Sequence, residues 1–164
     1  MAELYSFISG LYFRGKIAYS QAFSSPPEGV PAAVVIMPGG GLMRTDAILT
    51  REQLEALARM PIDAEEPLYR EPLERNATAF AKSAGPECQM VLLGSIATAK
   101  YMDPLLDCFG DRLVFPEEFV GRGDMSRGGL MLRAASEGRE LTYIPARSVV
   151  RTGRRPPKLP KAVR

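Results

Sequence analysis

Short apolar runs that end in loops and lead into helical patterns recur along this chain of 164 residues. The run Ala32–Met37, AAVVIM, is rich in β-branched residues and almost entirely apolar, as expected for a central strand buried on both faces. The runs Cys88–Leu93 and Arg112–Phe115 have the same character, and each precedes a segment with helical spacing. Two further strands are predicted at Leu4–Phe13 and Arg139–Pro145.

Helical segments lie between these runs. Thr50 and Gln53 resemble a capping box, in which each side chain bonds the backbone N–H of the other residue at the start of a helix. Ser95 is a good N-cap residue for a later helix, and Pro104 should kink that helix or divide it. The predicted helices cover residues 51–60, 69–84, 95–110 and 125–138.

The alternation of strands and helices predicts an α/β fold. We expect a three-layer sandwich with a mostly parallel central sheet and helices on both faces. No repeat or boundary is visible before residue 146, so one domain should cover residues 1–146. Residues 147–164 hold seven basic and no acidic side chains, which predicts an extended basic tail rich in proline.

Composition excludes several kinds of chemistry. The chain contains no histidine, which removes Ser-His and Cys-His nucleophile pairs and histidine-bound zinc. Cys88 and Cys108 do not form a C-x-x-C pair, and we predict two buried reduced thiols with no metal site. The glycine-rich loops match neither a Walker loop nor a dinucleotide fingerprint, and no cofactor is predicted.

A membrane association is not expected either. The longest apolar run, Ala32–Met37, is far too short to cross a bilayer. Glu3 stands where a secretion signal would carry lysine or arginine, so a cytoplasmic location is the default expectation.

The most unusual residues follow the predicted strands. Because the carboxyl ends of parallel strands meet at one edge of a sheet, these loops should form one site. We single out Asp124 as the candidate catalytic residue. The candidate ligand-binding residues are Arg14, Lys16, Tyr19, Gly39, Gly40, Gly41, Gly94, Ser95, Thr98, Lys100, Arg122, Gly123, Ser126 and Arg127.

The segment FVGRGDMSRGG, residues 119–129, combines glycine and charge at the highest density. Arg122 and Arg127 are suited to bidentate contacts with a phosphate or carboxylate. Asp124 would cap the following helix, or act as a general base or as an acceptor for a base or sugar. Two glycines inside the predicted helix cost about 1 kcal/mol each relative to alanine, which indicates close packing or a ligand.

The other loops each allow two interpretations. The triple glycine 39–41 is either a tight turn or a place where a ligand approaches the backbone. Gly94, Ser95 and Thr98 would bind an anion at a helix N-terminus, or Ser95 merely caps that helix. Lys100 is an anion contact or a surface charge.

The segment FRGKIAYSQAF is a loop or a short helix that mixes cations with aromatic rings. Arg14 and Lys16 would contact an anion, and Tyr19 would stack on a base. The competing interpretation is a solvated amphipathic segment.

Two of these segments, VVIMPGGGLM and LVFPEEFVGRGDMSRGG, resemble in their order the motif loops of the uracil-DNA glycosylase-like α/β fold. The layout is similar to that of the lysine-transferase domain of archaeosine synthase and of the peroxide-stress YaaA proteins, and GKIAYSQAF resembles a lysine-tyrosine-serine motif of the former. A block at residues 91–133 also resembles small bacterial proteins. Where the glycosylases carry a histidine, this chain has Phe115 and Pro116, so the resemblance implies the fold and no catalytic residue.

These features together predict a protein that binds a nucleotide, a nucleobase or a nucleic acid, with or without catalysis. In this hypothesis the loops hold base and phosphate, and the basic tail binds the nucleic-acid backbone. Two alternatives stay open. One is an enzyme for a phosphorylated or carboxylated metabolite, and the other is a non-catalytic module whose tail binds an acidic partner.

Overall fold

The computed structural model describes residues 10–63, 65–96, 99–149 and 156–157. Helices dominate these ranges, and the strands are short. Three 3₁₀ turns, at Gly110–Arg112, Glu117–Phe119 and Ala146–Ser148, flank the last strands. The elements in chain order are α1 (Gly10–Phe23), β1 (Val34–Met37), β2 (Gly41–Arg44), α2 (Arg51–Arg59), α3 (Pro67–Ala84), β3 (Met90–Val91), α4 (Ala99–Phe109), β4 (Leu113–Pro116), α5 (Asp124–Glu137) and β5 (Tyr143–Pro145).

The predicted three-layer sandwich with a mostly parallel central sheet is wrong. The strands form two small sheets, the antiparallel hairpin β1-β2 and a mixed sheet in the order β3-β4-β5. In the mixed sheet β3 is parallel to β4, whereas β5 is antiparallel to it. The apolar run Ala32–Met37 therefore never joins the sheet that contains the run Arg112–Phe115.

The glycines at 39–41 explain this error. Gly39 and Gly41 have φ angles of 67° and 65°, a region that side chains rarely adopt. The Gly40 N–H donates to Met37 O at 3.1 Å, and the chain turns back so that Val34 pairs with Arg44. An apolar run has the same composition in a hairpin as in a central strand, so only the pairing distinguishes the two.

The prediction of a strand at Leu4–Phe13 is also wrong for the part of this segment that the structure describes. Residues 4–9 lie outside the described part of the chain, and residues 10–13 are the first turn of α1. Of the two interpretations of Arg14–Phe23, the helix is the correct one. Tyr12, Lys16, Tyr19 and Phe23 recur every three or four residues, which places them on one face of α1.

Helices α1 and α5 cross with their backbones in contact. A Cβ atom added at Gly15 would lie 2.7 Å from Gly128 O, and one added at Gly128 would lie 2.8 Å from Leu11 O. Close packing is therefore the reason for Gly128, one of the two costly glycines in this helix. The crossing holds residues of α1 against the first turns of α5.

The predictions that rest on local sequence signals are more accurate than the predicted topology. The capping box is confirmed, because Gln53 N–H donates to Thr50 Oγ1 and Thr50 N–H donates to Gln53 Oε1. The helix predicted at 69–84 is also confirmed as α3. Helix α4 begins at Ala99, so Ser95 is not its N-cap, and it continues through Pro104.

The core lies between α3, α4, α5 and the mixed sheet. All residues of β4 are buried, as the prediction of a core strand at Arg112–Phe115 requires. Phe115, Leu73 of α3 and Met131 of α5 have no exposed surface. Cys88 and Cys108 are both free and half-buried. None of the described helices combines the length and apolar character needed to cross a membrane.

Candidate functional site

A cavity of about 940 Å³ lies between α1, the β1-β2 hairpin and the chain around β3. In the described part of the chain, β1 and β3 each pair with a neighbouring strand on one side only. Both strands line the cavity, which therefore occupies the gap between the two sheets. The face of α1 that carries Tyr12, Lys16, Tyr19 and Phe23 forms another wall.

A cluster of polar side chains lies where α1 crosses α5. We call Tyr12, Lys16, Tyr101, Asp124 and Arg127 the polar cluster. The Lys16 ammonium lies 4.1 Å from the centre of the Tyr12 ring, one helical turn away, in a cation–π contact. Arg127 Nη1 lies 3.9 Å from Asp124 Oδ1. Four of the five line the cavity, and Arg127 lies behind them, buried.

Two tyrosines of the cluster attach the loop after β3. The Tyr12 hydroxyl donates to Leu93 O at 3.0 Å, and the Tyr101 hydroxyl donates to Ser95 O. Burial raises the pKa of Tyr12 to about 12, although the guanidinium of Arg127 acts in the opposite direction. Burial raises the pKa of Tyr101 as well. At neutral pH both groups are therefore hydrogen-bond donors and not bases.

Lys16 is half-buried at the wall of the cavity. Burial lowers the pKa of Lys16, because an ammonium in apolar surroundings loses hydration. The carboxylate of Asp124 opposes this effect, and the positive charge of Arg127 reinforces it. Lys16 is thus a cation with one acidic and one basic neighbour on α5.

Arg127 is anchored in the core. Its Nε donates to Phe119 O at 3.3 Å, and its guanidinium carbon lies 5.6 Å from the Phe119 ring centre and 6.0 Å from that of Phe115. Asp124 has the opposite character, because its side chain is 66% exposed. Asp124 is the first residue of α5, and Gly123 is the N-cap, so Asp124 does not occupy the capping position. Asp124 lines the cavity, and its exposed side chain is accessible to a ligand.

A second polar group lies elsewhere on the wall. Tyr19 is buried, and its hydroxyl accepts a hydrogen bond from Leu141 N–H at 2.9 Å and lies 2.6 Å from the Tyr143 hydroxyl. The Tyr143 hydroxyl donates to Glu140 Oε1 at 2.7 Å. Burial raises the pKa of Tyr143, and the hydrogen bonds to Tyr19 and Glu140 add to the effect. Tyr19 therefore ties α1 to the chain before β5.

The structure separates several of the candidate residues from the cavity. Gly39, Gly40 and Gly41 form the hairpin turn, and Gly41 packs against the backbone of Pro72 in α3. Lys100 and Arg14 are exposed on α4 and α1. Thr98 lies outside the described residues.

Arg122 is engaged within its own chain. Its Nε donates to Glu118 O at 2.9 Å, and its Nη1 donates to Ser126 Oγ at 3.3 Å and to Pro157 O at 3.2 Å. Gly123 lies beside it with open space where a side chain would be. Arg147, the first basic residue of the predicted tail, forms an ion pair with Asp111 at 3.1 Å.

Five of the candidate residues line the cavity, namely Lys16, Tyr19, Gly94, Ser95 and Asp124, and a sixth, Arg127, is buried behind them. Sequence reasoning missed Tyr12, which stacks on Lys16 and bonds the loop after β3. The four-residue spacing of Tyr12 and Lys16 is the signal that would have found it. Because residues 10–13 were predicted to be a strand, the four-residue spacing was not interpreted as one face of a helix.

Comparisons of the chain with protein-family models, with curated proteins and with solved structures give no match. The resemblance to the uracil-DNA glycosylase-like fold therefore stays a prediction. Among the described residues, no group of three or more cysteine, aspartate or glutamate side chains is placed to hold a metal ion.

Proposed function

We propose that the cavity binds a nucleobase or nucleoside, a planar ring that carries hydrogen-bond donors and acceptors. The observation that carries this proposal is a cavity rich in aromatic side chains whose lining includes both Lys16 and Asp124. Aromatic rings stack on the faces of bases, and each stacked base contributes about 1–3 kcal/mol. A cavity of about 940 Å³ has room for such a ligand.

Lys16 and Asp124 supply complementary hydrogen-bonding groups. The Lys16 ammonium is a donor for a ring nitrogen or carbonyl oxygen, and the Asp124 carboxylate is an acceptor for an amino or imino N–H. A site that bonds the polar edge of a base discriminates against analogues without those groups, because its own polar groups would then lose their partners.

The charge of the cavity favours a base over a polyphosphate. Among the described residues that line it, Lys16 is the one cation, whereas Glu87, Asp124 and Glu140 are acidic. A triphosphate would bring several negative charges towards three carboxylates, and like charges at short range repel. We therefore expect bases and nucleosides to bind more tightly than nucleoside triphosphates.

Calorimetric titration of the purified chain tests this proposal. The ligands are the common nucleobases, their nucleosides and the matching triphosphates at one salt concentration. We expect at least one base or nucleoside to bind, with its triphosphate at least about tenfold weaker, which corresponds to about 1.4 kcal/mol. A triphosphate that binds more tightly, or a lack of binding by every base and nucleoside, would contradict the proposal.

Two charge-removing variants locate the ligand. Lys16→Gln and Asp124→Asn should each weaken binding by about tenfold or more, because a hydrogen bond to a charged group contributes about 1.5–3 kcal/mol. Arg14→Gln is the matched control, since Arg14 lies on the same helix and is exposed. Equal losses in Lys16→Gln and Arg14→Gln would place the ligand outside the cavity.

A further inference from the structure

We propose that the side-chain amine of Lys16 is a nucleophile for aldehydes and ketones, and that it forms an imine with a carbonyl compound that enters the cavity. This reactivity goes beyond the proposed binding of a base and does not depend on it. The two share one cavity, but different measurements report them.

The position of Lys16 carries this inference. A lysine nucleophile needs an amine that is accessible to a substrate yet poorly hydrated, so that its neutral form is populated. Lys16 lines a largely apolar cavity and is half-buried, whereas Lys82 of α3 and Lys100 of α4 are exposed on helix surfaces. These three are the lysines that the described part of the chain contains.

The groups around Lys16 act in both directions. Tyr12, on the same helix, places its ring 4.1 Å from the ammonium, and Asp124 on α5 contributes a negative charge; both favour the charged form. Arg127 on α5 favours the neutral form, and Tyr101 on α4 remains an uncharged donor. Burial is the largest effect, and it leaves the pKa of Lys16 below its ordinary value.

The reaction is balanced without an oxidant or reductant. The ammonium first loses a proton to solvent water, and the nitrogen lone pair attacks the carbonyl carbon. The carbonyl oxygen takes up a proton as the second amine proton leaves, which gives a neutral carbinolamine. A proton from solvent then converts the hydroxyl group into a leaving water, and the C=N bond of a protonated imine forms, in which the nitrogen keeps its remaining hydrogen.

The cavity also indicates the class of carbonyl compound. Its walls are apolar and aromatic, and the acidic groups on its lining outnumber Lys16 among the described residues. A flat, uncharged aldehyde or ketone fits these walls better than a dicarboxylate or a phosphorylated sugar does.

Reductive trapping tests the inference directly. The native protein is treated at pH 7 with limiting benzaldehyde and cyanoborohydride, and the modified lysines are quantified by peptide mass spectrometry. The lowered pKa of Lys16 leaves a larger fraction of its amine neutral at pH 7 than in an exposed lysine, and the neutral amine is the nucleophile. We expect Lys16 to be benzylated at least about threefold faster than Lys82 and Lys100. Equal or slower modification of Lys16 would overturn the inference.

Two controls assign the effect to the folded cavity. Lys16→Arg keeps a positive charge but cannot form an imine, so the fast phase of labelling should disappear while the thermal unfolding transition remains. In urea the wild-type chain should lose the preference, because burial is lost. If Lys16 is still labelled preferentially in urea, the local sequence causes its reactivity and the role of the cavity is refuted. Titration of the wild type with bases is measured separately, so each proposal can fail alone.

Discussion

The substitution Gly128→Ala tests whether the backbone contact between α1 and α5 shapes the cavity. The added Cβ would lie 2.8 Å from both Leu11 O and Tyr12 Cα. Ordinary van der Waals contact begins at 3.4 Å, so the helices must separate by about 0.6 Å on this side. Both obstructing atoms belong to the backbone and cannot rotate away.

The expected cost follows from two opposing effects. Alanine would add about 1 kcal/mol of helix propensity relative to glycine. Forcing an extra carbon into a packed contact costs about 1–3 kcal/mol, and a contact with backbone should lie at the upper end. We expect a net loss of about 2 kcal/mol in the free energy of unfolding, equivalent to about 4–8 °C in melting temperature for a chain of this size.

The assay is urea unfolding followed by circular dichroism, with calorimetric titration of a base or nucleoside that binds the wild-type chain. The urea midpoint should fall without a change in the slope of the free energy of unfolding against urea concentration. The affinity for the base should fall too, because Lys16 and Asp124 flank the crossing. Gly123→Ser is the control, since its Cβ meets open space and serine is favoured at an N-cap. It should leave stability unchanged or slightly higher.

A result in the opposite direction would refute this reasoning. If Gly128→Ala is as stable as the wild type or more stable, helix propensity outweighs the contact and the crossing is looser than described. A double variant provides a second check. Because Gly15 and Gly128 meet at one contact, the combined cost of Gly15→Ala and Gly128→Ala should be less than the sum of the separate costs.

Two further predictions concern the tyrosines. Tyr19→Phe leaves the buried Leu141 N–H without its acceptor and should lower the free energy of unfolding in urea by about 1–3 kcal/mol. A loss of less than about 0.3 kcal/mol would mean that water replaces the hydroxyl. Burial raises the pKa of Tyr12 from 10.0 to about 12, so the hydroxyl proton of Tyr12 leaves the unfolded chain at a lower pH than the folded chain. The free energy of unfolding that Tyr12 contributes is therefore fully present below pH 10 and is lost as the pH rises towards 12. The urea midpoint should therefore fall as the pH rises from 10.5 to 12, which is above the pH range in which the titration of Lys16 has the opposite effect on stability. Tyr12→Phe should make this fall smaller. A midpoint that does not change over this pH range would contradict the burial of Tyr12.

The candidate site was only partly predictable. Asp124 and Arg127 stood out because charge and glycine seldom cluster in a core, and Lys16 because it lay among aromatic residues. The reason offered for their proximity, one edge of a parallel sheet, was wrong, since the contact between α1 and α5 brings them together. Arg122 and Arg127 were both expected to contact an anion, but the donors of Arg122 bond backbone and Ser126 oxygens of the chain, and Arg127 is buried with its Nε bonded to Phe119 O.

The sequence by itself determined the features that depend on close neighbours along the chain. The capping box at Thr50 and the helix Pro67–Ala84 arise from hydrogen bonds and apolar spacing within a few residues, and the apolar run at Leu113–Pro116 is enough to indicate a buried strand but not its partners. Only the tertiary structure decided that Val34–Met37 pairs with Gly41–Arg44. Strand pairing depends on contacts with the whole fold, which an apolar run of four residues does not specify. The placement of Lys16 and Asp124 on one cavity has the same origin, because it requires two helices distant in sequence to cross where Gly15 and Gly128 leave room.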